Sequence, residues 1–195
     1  MSPRTENQFE AMRMKSRENI ISVAMNLFAS NGYHTSSIAQ IAKSANISKG
    51  LIYNYFASKE ELLDAIIKTG FAEIDQMLPP VIESENPRAT MVSEIETVFQ
   101  NYQSNFEFWK FYFQIIMQPK IFEIYAQPLK TFLSEQIVKL SDLFKSIGVS
   151  HPELKARTLA ALLDGIGFHM IIDEDYPLDD VKNFIIHNLI QEEQK

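Results

Sequence analysis

Residues 37–62 read SIAQIAKSANISKGLIYNYFASKEEL. Two short apolar patterns at helical spacing lie in this stretch. In the first, Ile38, Ile41, Ala42 and Ala45 share one face, so a helix is expected over 38–45. Ser37 precedes it and Gln40 stands three residues on, the arrangement of a capping box. Asn46-Ile47 make a tight connection, and Ser48 caps a second short helix expected over 49–56. Ser58-Lys59-Glu60-Glu61 is a further capping box and opens a longer helix towards Leu78, where Pro79-Pro80 stop it.

Upstream, Ile20, Ala24, Leu27 and Phe28 follow the i, i+4, i+7, i+8 rule on a helix over 16–30. Asn31-Gly32 close it, because glycine readily takes the left-handed position after a helix. The residues before 16, with Arg4, Arg13 and Lys15, read as a disordered tail or as a basic arm. Downstream, longer helices are expected over 87–104, 106–118, 121–146, 153–174 and 178–193. Glycines and prolines fall between these stretches and period-2 alternation is almost absent, so the chain reads as all-α.

Two short helices joined by a turn of about three residues suggest a helix-turn-helix. In that motif the second helix lies in the DNA major groove and its N-terminal residues meet base edges. Eight residues at 1.5 Å rise make about 12 Å, comparable to the groove width. Ile52 and Phe56 anchor this helix, which leaves Lys49, Gly50, Tyr53 and Asn54 to face outward. Lys49 suits a phosphate or a guanine, Asn54 an adenine, and the hydroxyls of Tyr53 and Tyr55 phosphate oxygens. Gly50 costs helix stability but leaves room for close approach to the sugar-phosphate backbone. The plainer reading makes the two tyrosines core aromatics and Lys59 a solvated helix-start residue.

The run from Ser16 to Leu63 resembles the DNA-binding domain of TetR-family (tetracycline-repressor-like) transcriptional regulators. The matching pieces are Ala24-x-x-Leu27-Phe28-x-x-x-Gly32-Tyr33, Thr35-Ser36-Ser37-Ile38-x-x-Ile41-Ala42, and Ile47-Ser48-Lys49-Gly50-x-Ile52-Tyr53-x-Tyr55-Phe56-x-Ser58-Lys59-Glu60-Glu61-Leu62. The resemblance implies phosphate contacts from Ser36 and Ser37, a recognition surface of Lys49, Gly50, Tyr53, Asn54 and Tyr55, and a phosphate clamp at Lys59. Leu51 stands where the family commonly has a small hydroxyl residue; it cannot hydrogen-bond a base but suits a thymine methyl. The resemblance further implies a helix-turn-helix domain over residues 1–60 and a helical effector-binding and dimerisation domain over 61–195.

In the second half, residues 99–113 read FQNYQSNFEFWKFYF, eight of them aromatic. A segment apolar on several faces is buried or lines a cavity. The resemblance places a small-molecule pocket here. Phe106, Trp109, Tyr112, Phe113, Met117, Phe122, Tyr125 and Phe168 are the candidates, Trp109 and Tyr112 foremost, because each joins a large apolar face to one polar handle. A solid aromatic core is the alternative. The last two helices carry double apolar stripes, one for the chain's own core and one for a partner. Leu162, Gly165, His169, Ile172, Phe184 and Asn188 are the expected dimer contacts, in a four-helix bundle of the kind such regulators form. A twofold dimer presents two recognition helices to a palindromic operator.

Other classes are disfavoured. The chain lacks cysteine, so disulfides and thiolate chemistry are excluded. The four histidines are scattered; His169 and Asp173 at i, i+4 are the nearest approach to a metal pair, and packing accounts for them better. No catalytic motif or nucleotide loop is evident, so neither enzyme activity nor a cofactor is expected. No apolar run reaches the ~18 residues of a membrane span, and the polar start has no signal-peptide core, so a cytoplasmic location is expected. The formal net charge of −7 argues against DNA binding only as an average. Residues 1–59 carry +4, and residues 71–195 carry −9. With so few cations, binding is expected to be salt-sensitive yet to rest on few ionic contacts. The expectation is a homodimeric, ligand-responsive repressor. A DNA-binding protein without an effector and a helical carrier or enzyme are the other readings.

Overall fold

The computed structural model describes residues 6–77 and 85–190, and every regular element among them is helical. The chain divides into two compact units. The first takes the residues up to Gly70 together with Phe111–Ile121; the second takes Phe71–Lys110 and the residues from Phe122 onward.

The first unit begins with α1 (Glu6–Asn31), ten residues longer at its start than the apolar pattern indicates. Residues 8–15 are exposed along this extension, so no buried stripe marks them as helical in the sequence. The first five residues, including Arg4, lie outside the described residues. Ile20, Ala24 and Phe28 are fully buried, as their spacing requires. Gly32 follows α1 at φ +84°, the left-handed conformation expected of it. Next come α2 (Ile38–Ser44) and α3 (Lys49–Tyr53), with Asn46 turning the chain between them at φ +55°. Asn tolerates that conformation better than most residues. Then α4 (Lys59–Met77) begins, its start capped by the Ser58 hydroxyl, which accepts the Glu61 N–H at 3.1 Å.

A division at residue 60 is not the one the contacts draw. Leu62, Leu63, Ile66 and Ile67 of α4 are buried in the first unit, beside Tyr112, Ile115 and Ile121. The Tyr112 hydroxyl donates to the Ile67 carbonyl at 3.2 Å. A Cβ on Gly70 would lie 2.1 Å from the Tyr112 ring, so glycine is what allows this packing.

The second unit contains α5 (Pro87–Ser104), the start of α6 (Phe106–Ile116), most of α7 (Pro119–Ser146), α8 (Pro152–Ile172) and α9 (Leu178–Ile185). A π-helical turn (Ile186–Ile190) continues α9, and the residues beyond 190 lie outside the described ones. Met91, Ile95, Val98 and Phe99 from α5, Leu140, Leu143 and Phe144 from α7, and Ala156, Leu159 and Ile166 from α8 supply the core. Polar ties join its elements. Asp75 of α4 accepts from Gln136 and Lys139 of α7, each at 2.7 Å. The Arg88 guanidinium donates to the carbonyls of Ile190 and Ile147. No helix among the described residues is long and apolar enough to cross a membrane.

Candidate nucleic-acid interface and effector cavity

The helix-turn-helix is assembled by short-range hydrogen bonds. Gln40 donates its N–H to the Ser37 hydroxyl at 3.3 Å and accepts the Ser37 N–H on its side chain at 2.8 Å. The Ser48 hydroxyl accepts the Leu51 N–H at 3.1 Å and starts α3. Ile52 and Phe56 are buried behind α3 and hold it in place.

Five residues form α3, not eight. Asn54 and Tyr55 donate their N–H groups three residues back, to Leu51 and Ile52. That tightening ends the helix early and swings Phe56 into the core. Lys49, Gly50, Tyr53 and Asn54 nonetheless remain exposed, Tyr53 with 48 % of its surface. The Lys49 ammonium lies 5.9 Å from the centre of the Tyr53 ring, so cation and aromatic face outward together. Gly50 has open space where a Cβ would stand, apart from the Ser48 hydroxyl at 4.0 Å. Leu51 and Tyr55 are half-buried; with Asn54 they line an open groove against Phe9, Met12, Arg13 and Ser16 of α1. The helical extension thus brings Arg13 beside α3, which the reading of a disordered tail does not.

Two expected phosphate contacts have other partners. Ser36 is 2 % exposed, and its hydroxyl bonds the carbonyls of Leu27 and Gly32 at 3.0 and 2.9 Å, so it ties the turn internally. Lys59 donates to the carbonyls of Tyr33 and Ser36, both at 3.0 Å, and lies 4.4 Å from the Tyr33 ring centre. It pins the loop ahead of α2. Ser37 is exposed, although its hydroxyl already bonds Gln40. Glu60 accepts from the Tyr33 hydroxyl at 3.2 Å. Hydrogen bonds from its own backbone N–H, Ser58 and Tyr33, with the nearby Lys59 charge, hold its carboxyl below the usual range against a small opposing burial effect. Gln118, between α6 and α7, fastens the same loop: its amide donates to the Phe28 carbonyl at 2.8 Å and accepts the Tyr33 N–H at 2.9 Å.

In the second unit a partly open cavity of about 80 Å³ is lined by residues of α4, α5, α7 and α8. Tyr102, Phe132, Gln136, Leu140, Leu163 and Asp164 are among them. None of the eight residues expected to line a pocket lines this cavity. Trp109 is 4 % exposed, donates its indole N–H to Asn101 at 2.7 Å and packs edge-on against Tyr102. Tyr112 is buried in the first unit. Phe106, Phe113 and Tyr125 are half-buried, and Met117, Phe122 and Phe168 are exposed. Trp109 and Tyr112 use their polar handles within the fold, which their residue types could not reveal. One signal was missed: Gln136 lies one helical turn from Phe132 and another from Leu140, a polar residue on an apolar stripe.

A second concavity runs along α8 and α9. Leu162, Gly165, His169, Phe184 and Asn188 line it, and Ile172 is exposed at the end of α8. His169 stacks on Tyr176 with ring centres 5.7 Å apart, and the Asp173 carboxylate accepts the Asp175 N–H at 3.1 Å. Those contacts engage both members of the i, i+4 pair. No group of three or more metal-ligating side chains is placed together among the described residues.

Residues 20–66 match the family of bacterial regulatory proteins named tetR. Over that quarter of the chain, the sequence is similar to the TetR family. An HTH-type transcriptional regulator, HbdR of Aromatoleum sp. (strain CIB), is 43 % identical over 67 residues, covering 34 % of this chain and 29 % of that one. The chain spans about a third or less of the length of HbdR and of the Bacillus subtilis regulator YuxN. BetI of Yersinia pestis matches more of the chain at lower identity, 24 % over 184 residues and 91 % of each sequence. Among solved structures, FadR of Bacillus subtilis in complex with stearoyl-CoA superposes with a TM-score of 0.68 at 22 % identity, covering 91 % of this chain and 99 % of that one. NalD of Pseudomonas aeruginosa, the secondary repressor of a multidrug efflux pump, gives 0.66 at 20 % identity, with 93 % and 96 % covered. At these identities the structures share the TetR fold.

Proposed function

We propose that this chain is a homodimeric DNA-binding transcriptional regulator of the TetR family. It acts in the cytoplasm as a repressor and leaves a palindromic operator when a small, mostly apolar molecule occupies the cavity of the second unit. The observation that carries the reading is the capped α3 with Lys49, Gly50, Tyr53 and Asn54 exposed on one short helix. HbdR, BetI and NalD are named as regulators or repressors, and the FadR structure holds an acyl ligand, which supports the same assignment. The groove along α8 and α9 offers Leu162 and Phe184 to a second copy, as a twofold interface requires. Ligand and operator oppose each other because each favours a different conformation of the same chain.

A gel-shift against fragments flanking the chain's own gene tests the reading. At least one fragment is retained by the wild type and released by Lys49→Ala. Retention of no fragment at low salt contradicts it.

A further inference from the structure

The cavity of the second unit has a one-sided polar lining. Its wall is largely apolar, with Ile74, Met77, Val98, Phe132 and Leu133 among its residues. Gln136 is 5 % exposed and lines it. Its amide nitrogen donates to Asp75 Oδ1 at 2.7 Å, and Asp75 also accepts from Lys139 at 2.7 Å. An ionised carboxylate only accepts, so Asp75 fixes which way the amide points. The remaining atom, Gln136 Oε1, is buried with no hydrogen-bond partner among the described residues.

Asp164 of α8 adds a carboxylate to the same lining, and no ion pair holds it among the described residues. Solvent reaches this residue, while its crowded surroundings raise the carboxyl above the usual range by burial. The Tyr102 hydroxyl donates to the Leu163 carbonyl at 3.4 Å, so lone pairs are what it offers the cavity. Lys139, held by Asp75, does not line it. The polar groups facing an occupant are therefore acceptors. An unpaired buried acceptor is costly, and an occupant that donates to it regains that loss as affinity.

We infer that the effector is a protonated organic amine. Its apolar body fills the cavity, and its ammonium head donates to Gln136 Oε1 beside the Asp164 carboxylate. This rests on the cavity being the effector site of the regulator proposed above. A carboxylate or phosphate head of the same length would meet acceptors and a like charge. The ligand class therefore differs from the acyl thioester bound by the Bacillus subtilis FadR.

The test titrates the full chain, near neutral pH and below micelle formation, with decylammonium, decyltrimethylammonium and decanoate. Binding is read by calorimetry and by the fluorescence of Trp109, the one tryptophan, which packs edge-on against the cavity residue Tyr102 at 5.8 Å. Decylammonium binds saturably, and decanoate at least about tenfold more weakly. Decyltrimethylammonium, equal in charge but without an N–H donor, also binds about tenfold more weakly. Asp164→Asn and Gln136→Leu each reduce decylammonium affinity by about tenfold. The Asp164 variant is the arbiter where loss of the Asp75 bond impairs folding of the Gln136 variant. Decanoate binding as tightly as decylammonium, or wild-type amine affinity in Asp164→Asn, overturns the amine assignment alone. Saturable amine binding that leaves affinity for a retained DNA fragment unchanged upholds the ligand class and contradicts the effector reading. Binding of no probe overturns both.

Discussion

Tyr53 and Lys49 are exposed, lie side by side with the ammonium 5.9 Å from the ring centre, and contribute nothing to the core of the first unit. Their replacement therefore separates binding from folding. Tyr53→Ala is expected to weaken operator binding by about 1–3 kcal/mol with an unchanged melting temperature. Lys49→Ala is expected to lower the slope of log affinity against log salt by about one, if the ammonium meets a phosphate. Salt titrations of both variants check this. Lys59 behaves differently because its ammonium is spent on the Tyr33 and Ser36 carbonyls. Lys59→Met should lower the melting temperature and weaken DNA binding while keeping most of the salt slope; a loss of slope without a loss of stability would return Lys59 to the phosphate. Two glycines make a matched pair. Gly70→Ala drives a methyl into the Tyr112 ring and should destabilise by about 1–3 kcal/mol. Gly165→Ala meets nothing within 4 Å and should leave the folding of a single chain intact or improve it.

At the scale of elements, the signals legible in the sequence are local. Ser37 with Gln40, Ser48, and Ser58 with Glu61 are each decided within four residues, and each forms the expected cap. Ser48→Ala should therefore cost about 1 kcal/mol in thermal unfolding. The misread features depend on distant chain. The end of α3 is set by the burial of Phe56, and Tyr112 is core because Gly70, far away in sequence, leaves space for its ring. Trp109 looks like a ligand contact until Asn101 takes its N–H. The pairing of α4 with α7 gives a pH dependence. Burial alone would raise the Asp75 carboxyl, but hydrogen bonds from Lys139 and Gln136 and the Lys139 charge outweigh it and leave the group below its usual value. The folded state then binds fewer protons than the unfolded one. The contribution is full above the ordinary aspartate range and is lost as pH falls through the depressed value. Asp75→Asn should flatten that part of the acid stability curve, followed by denaturant midpoints across the acid range.

For the whole molecule, the net charge of −7 conceals two opposite halves, and the positive one contains the helix-turn-helix. The few cations there give one copy little hold on a duplex, so pairing two copies is central to the proposed affinity. Phe184 is 68 % exposed and, with Leu162, lines the groove of α8 and α9. Phe184→Arg is expected to yield monomers by sedimentation and to reduce operator affinity by at least about tenfold, while leaving the helix content unchanged. The measurement that tests the central claim most directly is selection of DNA bound by the wild-type chain from a random pool. The account predicts enrichment of an inverted repeat whose half-site centres lie about one helical turn, or a multiple of it, apart. A pool that yields no enriched sequence, or only a single unrepeated site, would contradict it.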